Sequence, residues 1–460
     1  MSSEKANSRH AAHALLEILR GRRSRRFGLG MKMASGPLAY QSRHAGVPLT
    51  EEEEALLAFA ACGITGYALA DLIHERGQGG TIMAGLVGRT IPSGDAIQSV
   101  GLIVMNPDAT YYLKRPQDFA PGEVAELIRL AEQEQYVEWY RRCRVKLRAG
   151  RATAPCEPLY NINCNLWSLY DPAATYLLPV NELTFLYING LLEIFNETTA
   201  VFVLDERAGF RPAGLKGFAA SRGGHLVDDP RQGRVITIQQ LEDFVTEFVT
   251  VEQGMMIQNI ALMVQALGLG GFPHWAAHAY SWFQALGFRM APIRASRYLG
   301  MGRLLSAAAR LLGRDFAVPC VVGLEHEGVP LLRPYGPPYY PSMEAAVRAV
   351  VERKVGPQGI FRGGVIHSAW LDPAVVATAP APSEPAIQST IAYCEYVLTR
   401  YGRFPAYVPP LRTVLGFQVN HVDVEFYDRF YRAEALTEAQ RQHMHQWHEG
   451  SRVEKAEGPV

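Results

Sequence analysis

The spacing of apolar residues predicts long amphipathic helices in the N-terminal part of the chain. Apolar residues recur there at the interval of one helical face, at Ala12, Leu15, Leu16 and Leu19. Further along, Thr50 and Glu53 stand at the spacing of a capping box, in which each side chain accepts a hydrogen bond from the other residue's backbone N–H. This box predicts a helix from 51 to about 70.

The longest predicted helix lies in the second half of the chain. Thr237 and Gln240 form another capping box, and the helix that follows continues into an apolar stretch that ends at Gly268. The stretch from 255 to 272 has nearly the length of a membrane span, but it contains three side-chain amides, which are Gln258, Asn259 and Gln265. Because buried amides need hydrogen-bond partners, we expect a helix packed against protein and no membrane partner.

Short apolar runs bounded by turn residues predict buried strands. Val100–Met105 and Val318–Leu324 are two such runs. Between them the pattern is helical from 182 to 195 and strand-like from 201 to 204. The sequence therefore predicts both strands and helices.

Composition excludes several classes of function. Lys plus Arg equals Asp plus Glu, at 45 each, so no global charge favours nucleic acid. The basic run from 141 to 151 is interpreted as a solvated helix end. The six cysteines form no CxxC pair, which argues against a zinc ribbon, an iron–sulfur cluster or a disulfide framework. With no signal-peptide pattern at the N-terminus, a cytoplasmic protein is expected.

Three segments carry residues that could bind a ligand or contact another protein surface. The first is Arg22-x-Ser24-x-Arg26, directly before Phe27, where two guanidinium groups and a hydroxyl can bond to phosphate oxygens. A solvated basic helix end explains the same residues equally well. The second is the loop from 89 to 99, which feeds the strand at 100 and places polar side chains where α/β proteins often bind ligands.

The third segment runs from Glu252 through Gln258-Asn259 to the sequence Ala-Leu-Gly-Leu-Gly at 266–270, followed by Phe-Pro-His-Trp-Ala at 272–276. Its glycines end a helix instead of beginning one. The phosphate cradle of a dinucleotide fingerprint is therefore absent from this segment.

Taken together, the three segments resemble the nitroreductase-like FMN-dependent flavoenzymes. Members of that family have an Arg-x-Ser-x-Arg/Lys motif, then a Pro-Ser loop that ends in Gln before a strand, then a Gln-Asn helix that ends in Ala-Leu-Gly-Leu-Gly. All three occur here in that order. The resemblance implies an α+β fold with a central, mostly antiparallel sheet flanked by helices. It also implies a homodimer with FMN bound between the subunits.

The resemblance divides the chain into four segments. Residues 1–151 and 235–335 would form the two parts of the flavoenzyme core, and 152–234 would be an insertion suited to a lid over the substrate. Residues 336–460 would be a C-terminal extension of unknown role, with a proline-rich strap at 372–385.

By the same resemblance, Arg22, Ser24 and Arg26 would hold the FMN phosphate and ribityl chain. The remaining cofactor-binding residues would line the isoalloxazine ring or contribute backbone to its face, and they are Pro92, Ser93, Asp95, Gln98, Pro273, His274, Trp275 and Ala276. Arg333, after the strand at 318–324, is the candidate for a last phosphate contact, with a plain surface arginine as the alternative. No catalytic side chain is assigned, since the flavin supplies the chemistry.

The implied function is hydride transfer through flavin N5 between a donor such as NAD(P)H and a small organic acceptor. A flavin-dependent dehydrogenase or oxidase of a biosynthetic intermediate is one alternative. A flavin-free binding or scaffold protein is another, because Ser99 stands where the family commonly has Pro and Trp275-Ala276 replaces its Glu-Gly.

The C-terminal histidines raise a separate question. His421-x-Asp423 precedes His443-x-His445-x-x-His448, and such residues are metal ligands in many proteins. Because His443 and His445 do not face the same way on a helix, surface histidines explain the pattern better and no metal ligand is assigned.

Overall fold

The computed structural model describes residues 2–69, 81–153, 166–169, 171–275, 279–363 and 368–448. The helices are α1 (Ser2–Gly21), α2 (Glu51–Cys62), α3 (Pro121–Glu132), α4 (Tyr136–Cys143), α5 (Leu166–Leu169), α6 (Thr184–Ile194), α7 (Ile238–Leu267), α8 (Ala279–Ala285), α9 (Ala295–Tyr298), α10 (Arg303–Leu311), α11 (Met343–Val355), α12 (Glu384–Tyr401), α13 (Val424–Phe430) and α14 (Glu438–Trp447).

The strands are β1 (Lys32–Met33), β2 (Tyr40–Gln41), β3 (Ile64–Tyr67), β4 (Val87–Arg89), β5 (Val100–Met105), β6 (Ala109–Leu113), β7 (Arg144–Ala149), β8 (Thr175–Glu182), β9 (Phe202–Asp205), β10 (Arg211–Pro212), β11 (Val235–Thr237), β12 (Gly270–Trp275), β13 (Arg289–Arg294), β14 (Ala317–His326), β15 (Val329–Leu332), β16 (Leu411–Arg412) and β17 (Leu415–Asn420). The chain forms both helices and strands, in agreement with the predicted α+β class.

A seven-stranded sheet forms the centre of the fold. Its order is β12-β17-β8-β5-β6-β7, with β16 paired to β8, and every one of these pairs is antiparallel. The predicted strand Val100–Met105 is β5 and is buried at all its positions. Burial on both sides explains why it is apolar throughout instead of alternating with polar residues.

The two faces of this sheet pack against different layers. Val100 and Val104 belong to the apolar core that includes Leu57 of α2 and Ile260 of α7. Side chains at alternating positions, such as Ile103, lie in a second core with α8 and the small sheet β13-β14-β15. The predicted strand at 318–324 is part of β14 in that small sheet.

The central sheet takes strands from all four segments of the sequence-based division. Strands β5, β6 and β7 come from 1–151, β8 from 152–234, β12 from 235–335, and β16 and β17 from 336–460. Strand β8, fully buried, lies between β5 and β17. The segment predicted as an insertion and the predicted extension therefore both contribute to the central sheet.

Two local predictions need correction. The helix that begins after Thr50 ends at Cys62 instead of near 70, because Gly63 leaves the helical conformation and β3 begins at Ile64. The basic run at 141–151 is mainly the edge strand β7, not only a helix end. Charged side chains on an edge strand discourage pairing with another sheet.

Helix α7 is confirmed as one continuous helix with the predicted capping box at Thr237 and Gln240. None of the helices in the described ranges is both long enough and apolar enough to cross a lipid bilayer.

A test of the fold uses Gly268, which ends α7 with a positive φ of +79° and packs against the backbone of Ala439. Gly268→Ala should lower the free energy of unfolding by at least about 1–2 kcal/mol, because the left-handed conformation is unfavourable for alanine and the added Cβ would overlap the Ala439 carbonyl. Gly190→Ala in α6 is the matched control, since nothing lies within 4 Å of its Cβ position. Urea unfolding followed by circular dichroism measures both. Equal stabilities would contradict this packing.

Candidate functional site

The first predicted motif lies where α1 ends and the chain joins the edge of the central sheet. The carbonyl of Arg25 accepts from Gly271 N at 2.8 Å, which holds the segment beside β12. The Arg25 side chain is buried and donates to Gln265 Oε1 at 2.7 Å and to Ala435 O at 2.7 Å. Burial lowers its pKa to about 10. Arg25 occupies a position that the Arg-x-Ser-x-Arg motif leaves unspecified, and its bonds anchor this segment.

Arg26 lies among aromatic side chains. Its guanidinium carbon is 4.3 Å from the Phe272 ring centroid and 5.1 Å from that of Trp167. One terminal nitrogen donates to Ser168 Oγ at 2.6 Å. Of the other two motif residues, Arg22 is half-buried and Ser24 is exposed. Arg26 is thus held in a fixed orientation, and the hydroxyl of Ser24 is accessible.

The end of β12 extends the same cluster. The His274 ring lies 6.0 Å from the Phe272 ring and 5.9 Å from the Tyr176 ring. Phe272 and His274 share one face of the sheet because alternate residues of a strand point the same way. Pro273 is exposed, the side chain of Trp275 is not described, and Ala276 lies outside the described residues. Arg26 and His274 thus both lie beside the Phe272 ring. We call Arg26, Trp167, Ser168, Phe272 and His274 the Arg26 cluster.

The second motif is a strained loop. Asp95, Ala96 and Gln98 have φ values of 56°, 54° and 58°. Non-glycine residues rarely adopt this conformation, and strain of this kind collects at functional sites. Pro92 is exposed at the start of the loop.

Ser93 is used inside the fold. Its hydroxyl donates to Glu252 Oε2 at 3.1 Å and accepts from Gln98 N at 2.8 Å. Ser99 donates to the same carboxylate oxygen at 2.7 Å. Burial raises the pKa of Glu252, although Arg89 and the two hydroxyls oppose that shift.

Asp95 is likewise turned inward. Asn189 Nδ2 donates to Asp95 Oδ2 at 2.9 Å, and the buried Lys354 lies close enough to attract its charge. Burial raises the pKa of Asp95 to about 6, against the lowering effects of Asn189 and Lys354.

Gln98 borders a cleft that Tyr67, Gln117 and Arg353 also line. Its Nε2 donates to Val87 O at 3.0 Å. Its buried Oε1 accepts no hydrogen bond from the described residues. Gln98 therefore has a buried polar atom that lacks a hydrogen-bond partner among the described residues.

The first and second motifs are anchored at different points of one helix. Arg25 bonds to Gln265, whereas Ser93 bonds to Glu252, and both partners lie on α7. At ~1.5 Å rise per helical residue, these two anchor points are about 20 Å apart.

Arg333 follows β15 and is exposed. It borders a second cleft with Arg115, Glu182 and Arg353. That cleft shares Arg353 with the cleft of Gln98, so Arg333 is near the second motif. Arg26 lines neither cleft.

Three of the C-terminal histidines converge with a residue that the sequence analysis treated as a helix cap. His421, His443 and His448 each offer a nitrogen, and Glu53 an oxygen, within 4.8 Å of one another. Burial alone would raise the pKa of Glu53, but its hydrogen bond to His443 and the nearby His421 bring that pKa to about 2. Burial lowers the pKa of His421 to about 4.

The other two residues considered there lie apart from this group. Asp423 caps α13 by accepting from Phe426 N at 3.0 Å, and His445 is exposed. The sequence alone could not predict the involvement of Glu53, because Glu53 precedes the nearest of these histidines by several hundred positions.

No protein-family model matches this chain, and no curated protein matches it. Among solved structures, a protein from Ralstonia eutropha described as a "putative nitroreductase" is similar with 13% sequence identity and a TM-score of 0.28. The match covers 60% of this chain and 76% of that chain. A TM-score this low does not establish a common fold.

Asp95 provides a test of the loop's electrostatics. Its folded pKa of about 6 lies above the ordinary 3.8, so protonation favours the folded state. The resulting stabilisation is complete below about pH 4 and is lost as the pH rises through about 6. Asp95→Asn, which stays neutral, should therefore lose this pH dependence and be more stable than the wild type at pH 7, by up to about 3 kcal/mol. Urea unfolding of both proteins from pH 4 to 7.5 measures the difference, and parallel profiles would refute the prediction.

Proposed function

We propose that this chain is an FMN-dependent oxidoreductase that transfers a hydride between a donor such as NAD(P)H and a small organic acceptor. The observation that carries the proposal is the Arg26 cluster, in which two motifs far apart in sequence lie side by side. Arg26 stacks on Phe272, and His274 follows two residues later on the same face of β12. A guanidinium in this setting can bind phosphate, and the exposed residue Pro273 can approach a ring.

The residues present are compatible with FMN. Arg22, Ser24 and Arg26 offer cationic and hydroxyl donors at the end of α1, as a phosphate requires. Gln98 offers a buried acceptor that a ring N–H would satisfy. When bound, FMN supplies hydride transfer at N5, and the chain's residues bind and orient it.

The distance between the anchor points of the two motifs bears on how many chains contribute to one cofactor site. Because their anchor points on α7 are about 20 Å apart, we propose that the two motifs contacting one cofactor come from different chains. In this arrangement Arg26 of one subunit holds the phosphate end, and Gln98 of the partner subunit lies at the ring. A homodimer is therefore part of the proposed function.

The exposed face of α7 supports a homodimer. Phe244, Phe248 and Val251 are 59%, 45% and 58% exposed, and they lie at helical spacing on one side. Leu15 and Leu16 of α1, which packs on α7, are also exposed. An apolar stripe of this length is unfavourable in water and suits a second copy of the chain. We call Phe244, Phe248 and Val251 the α7 stripe.

A flavin-free binding or scaffold protein is the second candidate. Ser93 and Asp95, both predicted at the flavin ring, instead bond to Glu252 and Asn189 inside the fold. These contacts stabilise the loop whether or not a cofactor is bound.

The phosphate contact can be tested with a double variant. Arg22→Ala with Arg26→Ala should weaken FMN binding at least about a hundredfold, since each charge-assisted hydrogen bond contributes ~1.5–3 kcal/mol. Arg23→Ala is the matched control, because Arg23 is exposed and bonds only to nearby backbone carbonyls in the described contacts. Flavin fluorescence titration gives the affinities, and circular dichroism checks folding. Equal FMN affinity in a folded double variant would rule out the assignment.

The dimer can be tested with a single charge. Phe248→Asp in the α7 stripe should give a monomer and release FMN as well, because an obligate interface of over about 2,000 Å² resembles a divided core and does not accept an unpaired carboxylate. Leu304→Asp makes a similar change at a residue of α10 that is 89% exposed and should leave the dimer intact. Analytical ultracentrifugation with absorbance detection reports mass and flavin together. A wild type that sediments as a flavin-loaded monomer would overturn the proposal.

A further inference from the structure

We propose that Glu53, His421, His443 and His448 bind one transition-metal ion of the Zn²⁺ type. Nitrogen and carboxylate ligands in a four-member set suit zinc, whereas Mg²⁺ and Ca²⁺ prefer oxygen ligands. Glu53, His421 and His443 are buried, at 0%, 2% and 2% exposure. We call these four residues the His3Glu cluster.

Distances within the His3Glu cluster suit a small cation. His421 Nδ1 is 3.0 Å from His443 Nε2, and Glu53 Oε1 is 2.9 Å from His443 Nε2 and 3.3 Å from His448 Nε2. Zinc bonds of ~2.0–2.1 Å in tetrahedral geometry would separate neighbouring ligand atoms by about 3.3 Å. The ligand atoms therefore need to move only slightly to reach the spacing of a tetrahedral zinc site.

The outward nitrogens of two histidines are held by backbone carbonyls. His443 Nδ1 lies 2.6 Å from Leu267 O, and His421 Nε2 lies 3.2 Å from Pro48 O. A carbonyl only accepts, so each of these nitrogens carries the proton. In the neutral rings, His421 Nδ1 and His443 Nε2 then present lone pairs to each other. This is the outer-shell arrangement that orients metal-binding histidines.

Glu53 is oriented in the same way. Its Oε2 accepts from Thr50 N at 2.6 Å and from Thr50 Oγ1 at 3.0 Å, within the capping box of α2. The other oxygen, Oε1, points to His443 and His448. One carboxylate thus caps a helix with one oxygen and offers the other to the ion.

The local backbone explains why His443 and His448 meet despite their spacing. Five residues along a regular helix would place two side chains about 140° apart. Helix α14 ends at Trp447, and His448 leaves the helical conformation with φ −130° and ψ 40°. This change of direction lets the His448 ring turn back towards Glu53.

Four protein ligands with little exposure form a closed site, as structural zinc sites do. The ion would connect the start of α2 with the end of β17 and with α14, which are distant in sequence. The proposal is therefore a structural metal that fastens the C-terminal helix to the core. It is independent of flavin binding.

A proton shared among these side chains is the competing explanation. A protonated His443 would donate Nε2–H to Glu53 or His421 without any metal. Metal content distinguishes the two cases directly.

The test begins with the full-length wild type, incubated with Zn²⁺, separated from free ion by gel filtration and analysed by mass spectrometry of the metal. We expect about one zinc per chain, at least tenfold weaker zinc binding in His443→Ala and His448→Ala, and unchanged binding in His445→Ala, the exposed control on the same helix. Wild type that retains no zinc, or equal zinc in all four proteins, would overturn the proposal.

A second measurement on the wild type does not depend on the variants folding. Co²⁺ added to chelator-treated protein should give the visible absorption bands of tetrahedral cobalt, and Zn²⁺ should abolish them. Cobalt that remains octahedral and spectroscopically like the free ion would contradict the site.

Discussion

Helix α7 carries five polar side chains that bond to segments distant in sequence, and they are Glu242, Glu252, Gln253, Asn259 and Gln265. Glu242 accepts from the backbone N–H groups of residues 406 and 407, and Glu252 accepts from residues 93, 99 and 100. Gln253 donates to backbone carbonyls of the central sheet, and Asn259 donates to backbone carbonyls of α2 and of the loop before β5. Gln265 bonds to Arg25 and Thr437. Each bond left unmade would leave a buried polar group, at ~1–3 kcal/mol each. The position of α7 along its axis is therefore tightly determined.

The same helix places the proposed site. Glu252 fixes the strained loop at the start of β5, and Gln265 fixes Arg25 beside β12. Since these anchor points lie about 20 Å apart, the two motifs are presented at different places along one rigid element. The α7 stripe lies on the N-terminal half of the same helix. In the proposed homodimer a second copy of the chain covers that stripe, and the two motifs that contact one cofactor come from different subunits.

Local signals in the sequence predicted the elements that depend on local physics. Capping boxes located the starts of α2 and α7, and an uninterrupted apolar run located β5. The predicted end of α2 was wrong because Gly63 leaves the helical conformation, although apolar residues continue beyond it. Strand β8 was not predicted, since Pro179, Asn181 and Glu182 interrupt its apolar pattern although all are buried in the sheet.

The candidate sites were harder to predict, because their geometry depends on distant contacts. The sequence identified Arg26 and His274, which lie in one cluster, but not the roles of Ser93 and Asp95 inside the fold. The histidines at the C-terminus were noticed, whereas Glu53 had a complete local explanation as a helix cap. Only the folded chain shows that the second oxygen of its carboxylate meets them.

The absorbance spectrum of the purified full-length protein, before and after denaturation, tests the central claim most directly. The account predicts a yellow protein with flavin bands, which releases FMN on denaturation and regains the bands when FMN is added back to refolded protein. A colourless protein that takes up no FMN at micromolar concentration, although correctly folded and dimeric, would contradict the account and favour the flavin-free scaffold.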